Sequence, residues 1–299
     1  MMRWIVGVDT RQRCQGALRF CEWIADESRR AADDRFEAVH VLQDEDLRPL
    51  QSHASLSEIE RMARERFGQV LADSRLREVL ASHDIVFETT AERALTKRVG
   101  EGPAGSARPV LLVGRRAPRG STGWTRLGRT ARRLVRHLPA PVVVVPPDFD
   151  PSSAHAGPVV LATNLGPDAD GAAELAAQLA RQWKRPLLAA TVLPGIVDEP
   201  PAYLPVAAHQ QVVAGRQEQT RRDLELWLRR HELSGTEVVV LSGDPVDRLT
   251  TLAFERDAVM VVVGSRLLTL RSRIFSSSIG SDLAGSATVP VAVVPPPIA

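Results

Sequence analysis

The feature that most constrains this chain is an internal repeat about half its length. Val110-Leu111-Leu112-Val113-Gly114 is followed by an arginine-rich polar stretch, a helical segment and Ala140-Pro141-Val142-Val143-Val144-Val145-Pro146-Pro147. Val261-Val262-Val263-Gly264 is followed by the same succession, ending in Val289-Pro290-Val291-Ala292-Val293-Val294-Pro295-Pro296. From Gly114 to Pro141 is 27 residues, and from Gly264 to Pro290 is 26. Each half also opens with a short apolar run, Trp4 to Val8 and Val159 to Ala162, that leads into a polar turn and an alanine-rich helical pattern. A repeat of this period is a whole domain duplicated, not a solenoid unit. The 299 residues, 44% hydrophobic, are too many for one ordinary core and enough for two. The proline, serine and glycine of 148–157 read as a linker, which sets domains at 1–147 and 158–299.

Within each half, apolar runs of four to six residues lack the polar alternation of a half-exposed strand, as expected for parallel strands covered on both faces. Strands are expected near 4–8, 36–42, 84–89, 109–113 and 142–145, with helices near 13–31, 55–82, 91–100 and 128–138. The second half predicts strands near 158–163, 186–193, 236–241, 259–263 and 291–294, and helices near 169–183, 208–231, 246–255 and 279–286. Alternating strands and helices imply right-handed crossovers. The fold class is therefore α/β: two tandem doubly wound five-stranded parallel-sheet domains. In such sheets ligands sit beyond the carboxyl ends of the strands, where the strand order reverses.

Composition narrows the function classes. A net charge of +2 provides no general drive toward nucleic acid or acidic membranes. Cys14 and Cys21, seven apart in a helical pattern, fit neither a zinc site nor a disulfide framework and read as surface or core thiols. The opening apolar run is too short for a signal peptide and nothing approaches a membrane span, so a soluble cytoplasmic protein is expected. Phosphate-loop, dinucleotide-fingerprint, nucleophile-elbow and paired-histidine motifs are all missing, which leaves conventional enzyme chemistry without support.

The strand-end residues resemble the universal stress protein family, twice. The carriers in the second half are Ser242-Gly243-Asp244-Pro245, Val263-Gly264-Ser265-Arg266, Ser276-Ser277-Ser278-Ile279 and the terminal Val-Pro strand. In the first half they are Val8-Asp9-Thr10, Val41, Val113-Gly114-Arg115-Arg116, Gly128-Arg129-Thr130 and the Ala-Pro strand. The resemblance implies the adenine nucleotide alpha hydrolase-like fold. It also implies a family divided into ATP-binding and non-binding members by its glycine-rich stretch. Glycines there let backbone approach phosphates, and helix-start N–H groups hold the anion. Carried onto this chain, the second-domain site would comprise Asn164, Val192, Val263, Gly264, Arg266, Ser277, Ser278 and Ile279, with Leu267 in place of the pattern's second glycine. The first-domain site would comprise Asp9, Val41, Gly114, Gly128 and Arg129, but Ala117 replaces a glycine, Arg129 a serine, and Glu92-Arg93-Ala94 the Gly-x-Pro turn.

Two functional readings follow. One is a stress-response regulator that binds ATP or a related adenine nucleotide, with Mg2+ if bound, mainly in the second domain. The other is an interaction module without nucleotide, acting through protein contacts. Arg129, Arg132, Arg133 and Arg136 could grip phosphates, yet at helical spacing they read first as a solvated face paired with acidic neighbours. No aromatic residue interleaves with them, which disfavours nucleic acid. The resemblance further implies pairing of the last strands, 142–145 and 291–294, giving an internal pseudo-dimer and a possible homodimer; the regulatory protein partner is not identifiable.

Overall fold

The computed structural model describes residues 1–10, 15–28, 34–102, 108–116, 127–154, 157–193, 205–265 and 279–297. The chain divides into two compact units, Met1–Ser153 and Ala154–Ala299. In the first, β1 (Met2–Gly7), α1 (Gln15–Ser28), β2 (Arg35–Gln43), α2 (Asp44–Leu47), α3 (Leu56–Ala72), β3 (Leu80–Glu88), α4 (Ala91–Gly100), β4 (Arg108–Gly114), α5 (Arg129–His137) and β5 (Val142–Val145) follow one another. The strands pair in the order β3-β2-β1-β4-β5, all parallel. Val110, Leu111 and Leu112 of β4 and Trp4, Ile5 and Val6 of β1 are fully buried, as continuous apolar strands between two helical layers must be.

Helix α1 lies so close to the chain after β5 that a Cβ on Gly16 would fall 1.9 Å from the Pro146 carbonyl oxygen. Phe20 of α1 meets Phe149 edge to face at 5.0 Å, so the start of the segment read as linker is packed onto this unit. Cys21 is buried, and desolvation pushes its thiol far above the ordinary range; Cys14 lies outside the described residues.

The helix expected over 55–82 is shorter. A capping box at Ser55 and Glu58 starts α3. The helix stops at Ala72, Ser74 donates its hydroxyl to the Leu71 carbonyl, and a 3-10 turn over Arg75–Glu78 leads straight into β3. β3 begins at Leu80, four residues before the strand expected near 84–89, because Ser82 and His83 interrupt the apolar run at its start.

Nothing in the sequence pattern announced the buried charges under α4. Arg3 of β1 forks onto Glu37 of β2 through Nε at 2.8 Å and an Nη at 2.9 Å. Arg98 of α4 donates to the same carboxylate at 3.0 Å and to Asp84 of β3 at 2.8 Å. Burial alone would raise the Glu37 carboxyl, but hydrogen bonds and charge from Arg3 and Arg98 outweigh it and hold Glu37 below its ordinary 4.5. The network bolts three strands to one helix.

The second unit runs β6 (Val159–Ala162), α6 (Asp170–Gln182), β7 (Leu187–Leu193), α7 (Val206–Arg230), β8 (Glu237–Ser242), α8 (Pro245–Glu255), β9 (Met260–Gly264), α9 (Ile279–Ser286) and β10 (Val291–Val294). Its parallel strands pair as β10-β9-β6-β7-β8, so the chain repeats the first unit's order. Alanine-rich α6 buries Ala172, Ala173, Leu175, Ala176 and Leu179, because small side chains let it sit close on the sheet. Where β2 carries Glu37 opposite Ile5, β7 carries apolar Leu188 opposite Val160. Among the described residues no helix is long and apolar enough to cross a membrane.

Candidate functional site

In the first unit β1 lies between β2 and β4, so the connections leaving β1 and β4 diverge and open a crevice at the strand ends. A cavity of about 520 Å3 occupies that crevice. Asp9, Val41, Gly114, Gly128 and Arg129, the five residues singled out in this half, all line it. Val39, Val41 and Leu42 supply apolar wall from β2, and Leu95 supplies it from α4.

The wall is fixed by backbone and side-chain bonds. Val8 N donates to the Val39 carbonyl at 2.9 Å. His40 Nδ1 donates to the Val8 carbonyl at 2.8 Å, since that oxygen can only accept. The His40 ring packs on Phe67 of α3, with centroids 5.7 Å apart. At the β2 end, Gln43 accepts from Ala91 N at 3.2 Å, so a strand residue caps α4 where the second unit uses a turn-and-proline start. On the far side, Arg115 N donates to the Val145 carbonyl at 2.8 Å. The Arg115 side chain is buried, which lowers its guanidinium below the ordinary value while Asp148 partly restores it.

Helix α5 points its N-terminus at this cavity. Gly128 is its N-cap, with φ −60° and ψ 160°, and among the described residues no side chain caps the first turn. An uncapped helix start concentrates backbone donors and the positive end of the helix dipole. Arg115, Arg116 and Arg129 add three cationic side chains to the lining, and Asp9 and Asp46 add two carboxylates. Further along α5 the arginines behave as the sequence pattern predicts: Arg133 pairs with Glu92, and Arg132 and Arg136 are exposed. The spacing motif found Gly114 and Gly128, and Arg115 without a role, but not Gln43 or Asp46. Those reach the cavity through strand pairing and burial, which a linear pattern does not encode.

The corresponding place in the second unit is built differently. Asn164 follows β6, and its Oδ1 accepts from Gly166 N at 3.0 Å while Nδ2 donates to Asp168 at 3.2 Å. Both ends of its amide are thus used inside its own turn, with Leu165 at a φ of +65°. The 3-10 turn Pro167–Ala169 then settles on β9. A Cβ on Gly264 would fall 2.4 Å from the Asp168 carbonyl oxygen and 2.8 Å from the Ala169 Cα. Glycine at 264 is required by that protein backbone, whatever else approaches. Val263 is buried and Val192 half-buried, Ile279 opens α9 on the surface, and Arg266, Ser277 and Ser278 lie outside the described residues. Gly243, at a φ of +118°, turns the chain before Asp244 caps α8 through the N–H groups of Val246 and Asp247. Among the described residues no three His, Cys, Asp or Glu side chains gather as a metal site.

Residues 156–295 match the sequence model of the universal stress protein family. The second unit, which this match spans, belongs to the universal stress protein family. Its whole length follows solved structures of the same architecture. A protein of unknown function from Pseudomonas aeruginosa PAO1 is 15% identical, with a TM-score of 0.63, 99% of this chain covered and 93% of the other. A universal stress protein from Archaeoglobus fulgidus DSM 4304 is 14% identical, with a TM-score of 0.63 and coverage of 99% and 98%. A universal stress protein solved in complex with cAMP matches 48% of this chain and 100% of its own, at 22% identity and a TM-score of 0.36. No curated protein matches the sequence. This member of the family is therefore a tandem of two such folds, as the repeat predicts.

Proposed function

We propose that this universal stress protein is a non-catalytic, nucleotide-responsive regulator whose adenine nucleotide sits in the first unit. The observation that carries the reading is the cavity at the β1/β4 divergence. Its size is within the range of small-molecule sites. An apolar wall suited to a base, a carboxylate suited to base or ribose donors, and an uncapped helix start with arginines suited to phosphate stand around one space. The order of preference between the halves thus reverses. The sequence pattern favours the second, where Asn164 engages one donor and one acceptor of its amide in its own turn and Gly264 lies against backbone. If the ligand is a triphosphate with Mg2+, Asp9 and Asp46 are the described cavity carboxylates able to approach the ion, which typically keeps several waters and few protein ligands. The reading that the protein acts by contacts alone retains its support in the second unit. In the cell the protein would work in the cytoplasm through a protein partner that senses the occupied state.

The test is direct. Protein purified without added nucleotide is denatured, and the released small molecules are identified by chromatography and mass spectrometry. ATP, ADP or AMP at a substantial fraction of one per chain supports the reading. An empty protein that also gives no heat with added ATP or AMP removes it.

A further inference from the structure

The cavity carries a counterion of its own. Helix α2 follows β2 directly and begins Asp44-Glu45-Asp46, three consecutive carboxylates. Leu47, buried, anchors this short helix to the fold. Glu45 reaches across to pair with Arg129, the first residue of α5, although 84 residues separate them in sequence. Asp46 lines the cavity itself and accepts from Gln43 Nε2 at 3.4 Å.

The Glu45–Arg129 pair does little for stability. The side chains are 70% and 64% exposed, and ion pairs so open to water add little to folding. Its effect is on the charge of the site. Arg129 stands at the helix start where an anion would bind, and a carboxylate already engages it. The same guanidinium offers a planar fork that suits a phosphate equally well.

We propose that Glu45 is an internal competitor for the phosphate position. Without ligand its carboxylate neutralises Arg129; a nucleotide binds by exchanging a phosphate oxygen for that carboxylate. No covalent bond changes. The inference rests on the first-unit cavity being the nucleotide site, and it adds a consequence that the site alone does not have. The competitor weakens binding, so the protein responds at a higher nucleotide concentration than its bare cavity would. The exchange also frees Glu45 on α2, at the surface, only when the site is filled.

Calorimetric titration of ATP and AMP into wild-type protein, Glu45→Gln, Arg129→Gln and the double variant tests this, with thermal unfolding to show that each variant is folded. Glu45→Gln should bind about threefold to tenfold more tightly at low salt. The gain should fade as salt approaches 1 M, where the screening length is about 3 Å. In the Arg129→Gln background, Glu45→Gln should give no further gain, because the group it competes for is gone. Wild-type binding with Glu45→Gln unchanged or weaker overturns the competitor and leaves the nucleotide site standing. Loss of binding to ATP, AMP and inorganic pyrophosphate in all four proteins removes the site and the competitor together.

Discussion

The residues that directly follow β1 and β6 stand at matching strand ends in two units with the same strand order, and their described surroundings differ. In the first unit Asp9 lies at the edge of a cavity of about 520 Å3 with Gly114 and Gly128 on its wall. In the second, Asn164 folds its turn back on itself and delivers Asp168 and Ala169 onto Gly264. Strand order decides where a crevice can form; what packs on the glycine at the end of the fourth strand decides how close a ligand can come to it. A glycine in a phosphate-binding pattern therefore has two readings, close approach of a ligand or close approach of the protein's own backbone. Gly264 has the second.

The contrast extends into the sheets, where β2 carries Glu37 and β7 carries Leu188. Arg3→Ala should be the most damaging change in the comparison. It strips a side chain that is 8% exposed from a carboxylate that is 5% exposed and leaves Arg98 to hold it, so the loss should fall at the lower end of the about 3–5 kcal/mol for breaking a buried pair. Chemical denaturation of Arg3→Ala, set against Leu188→Ala as an apolar loss at the matching sheet position, measures it. Equal tolerance of Arg3→Ala and a surface substitution would break the claim that charge bolts the first sheet together. Glu37 also gives the first unit an acid limit. Its folded pKa is below 4.5, so its contribution is complete above that value and is lost as the pH falls through the lowered one. The stability difference between wild type and Glu37→Gln should therefore shrink as the pH is lowered past about 4.5; a constant difference would contradict it.

Gly264→Ala comes next. Two backbone atoms stand within 2.8 Å of the added Cβ, and overpacking of this kind costs about 1–3 kcal/mol. A thermal scan showing no loss would mean that the 167–169 turn yields freely, and the two crevices would then differ less than the structure implies. Gly128→Ala has the smallest expected effect on stability. Among the described residues Arg116 Cβ, 4.0 Å away, is the nearest contact, and φ is −60°, so the change costs only the weaker N-cap preference of alanine, about 0.5–1 kcal/mol.

Much of this was legible in the sequence. The repeat and the apolar runs of β1, β4, β5, β9 and β10 place the central strands, because strands buried on both faces are written as unbroken Val, Ile and Leu. β3 was not placed as well: its polar residues, partly exposed, look like the end of a helix, and only pairing with β2 makes them strand. The same distinction governs the site. Asp9, Gly114, Gly128 and Arg129 belong to a linear spacing and could be named in advance. Gln43 capping α4, Glu45 on Arg129 and the Arg3–Glu37–Arg98 cluster depend on contacts across 34 to 95 residues, which no spacing records. The preference for the second half as the nucleotide site came from counting matched residues. What that count does not include is that Asn164 hydrogen-bonds within its own turn and that Gly264 lies against the Asp168 and Ala169 backbone.

The central claim is that the first-unit crevice, and not its counterpart in the second unit, holds the nucleotide. Its most direct test is calorimetric titration of ATP and AMP into Gly128→Asp and Asn164→Ala alongside the wild type. Aspartate is a favourable N-cap, so Gly128→Asp should keep α5 folded while setting a carboxylate where phosphate would bind. The account predicts that Gly128→Asp weakens binding by about tenfold or more and that Asn164→Ala leaves it unchanged. Binding that survives Gly128→Asp and collapses in Asn164→Ala would contradict it.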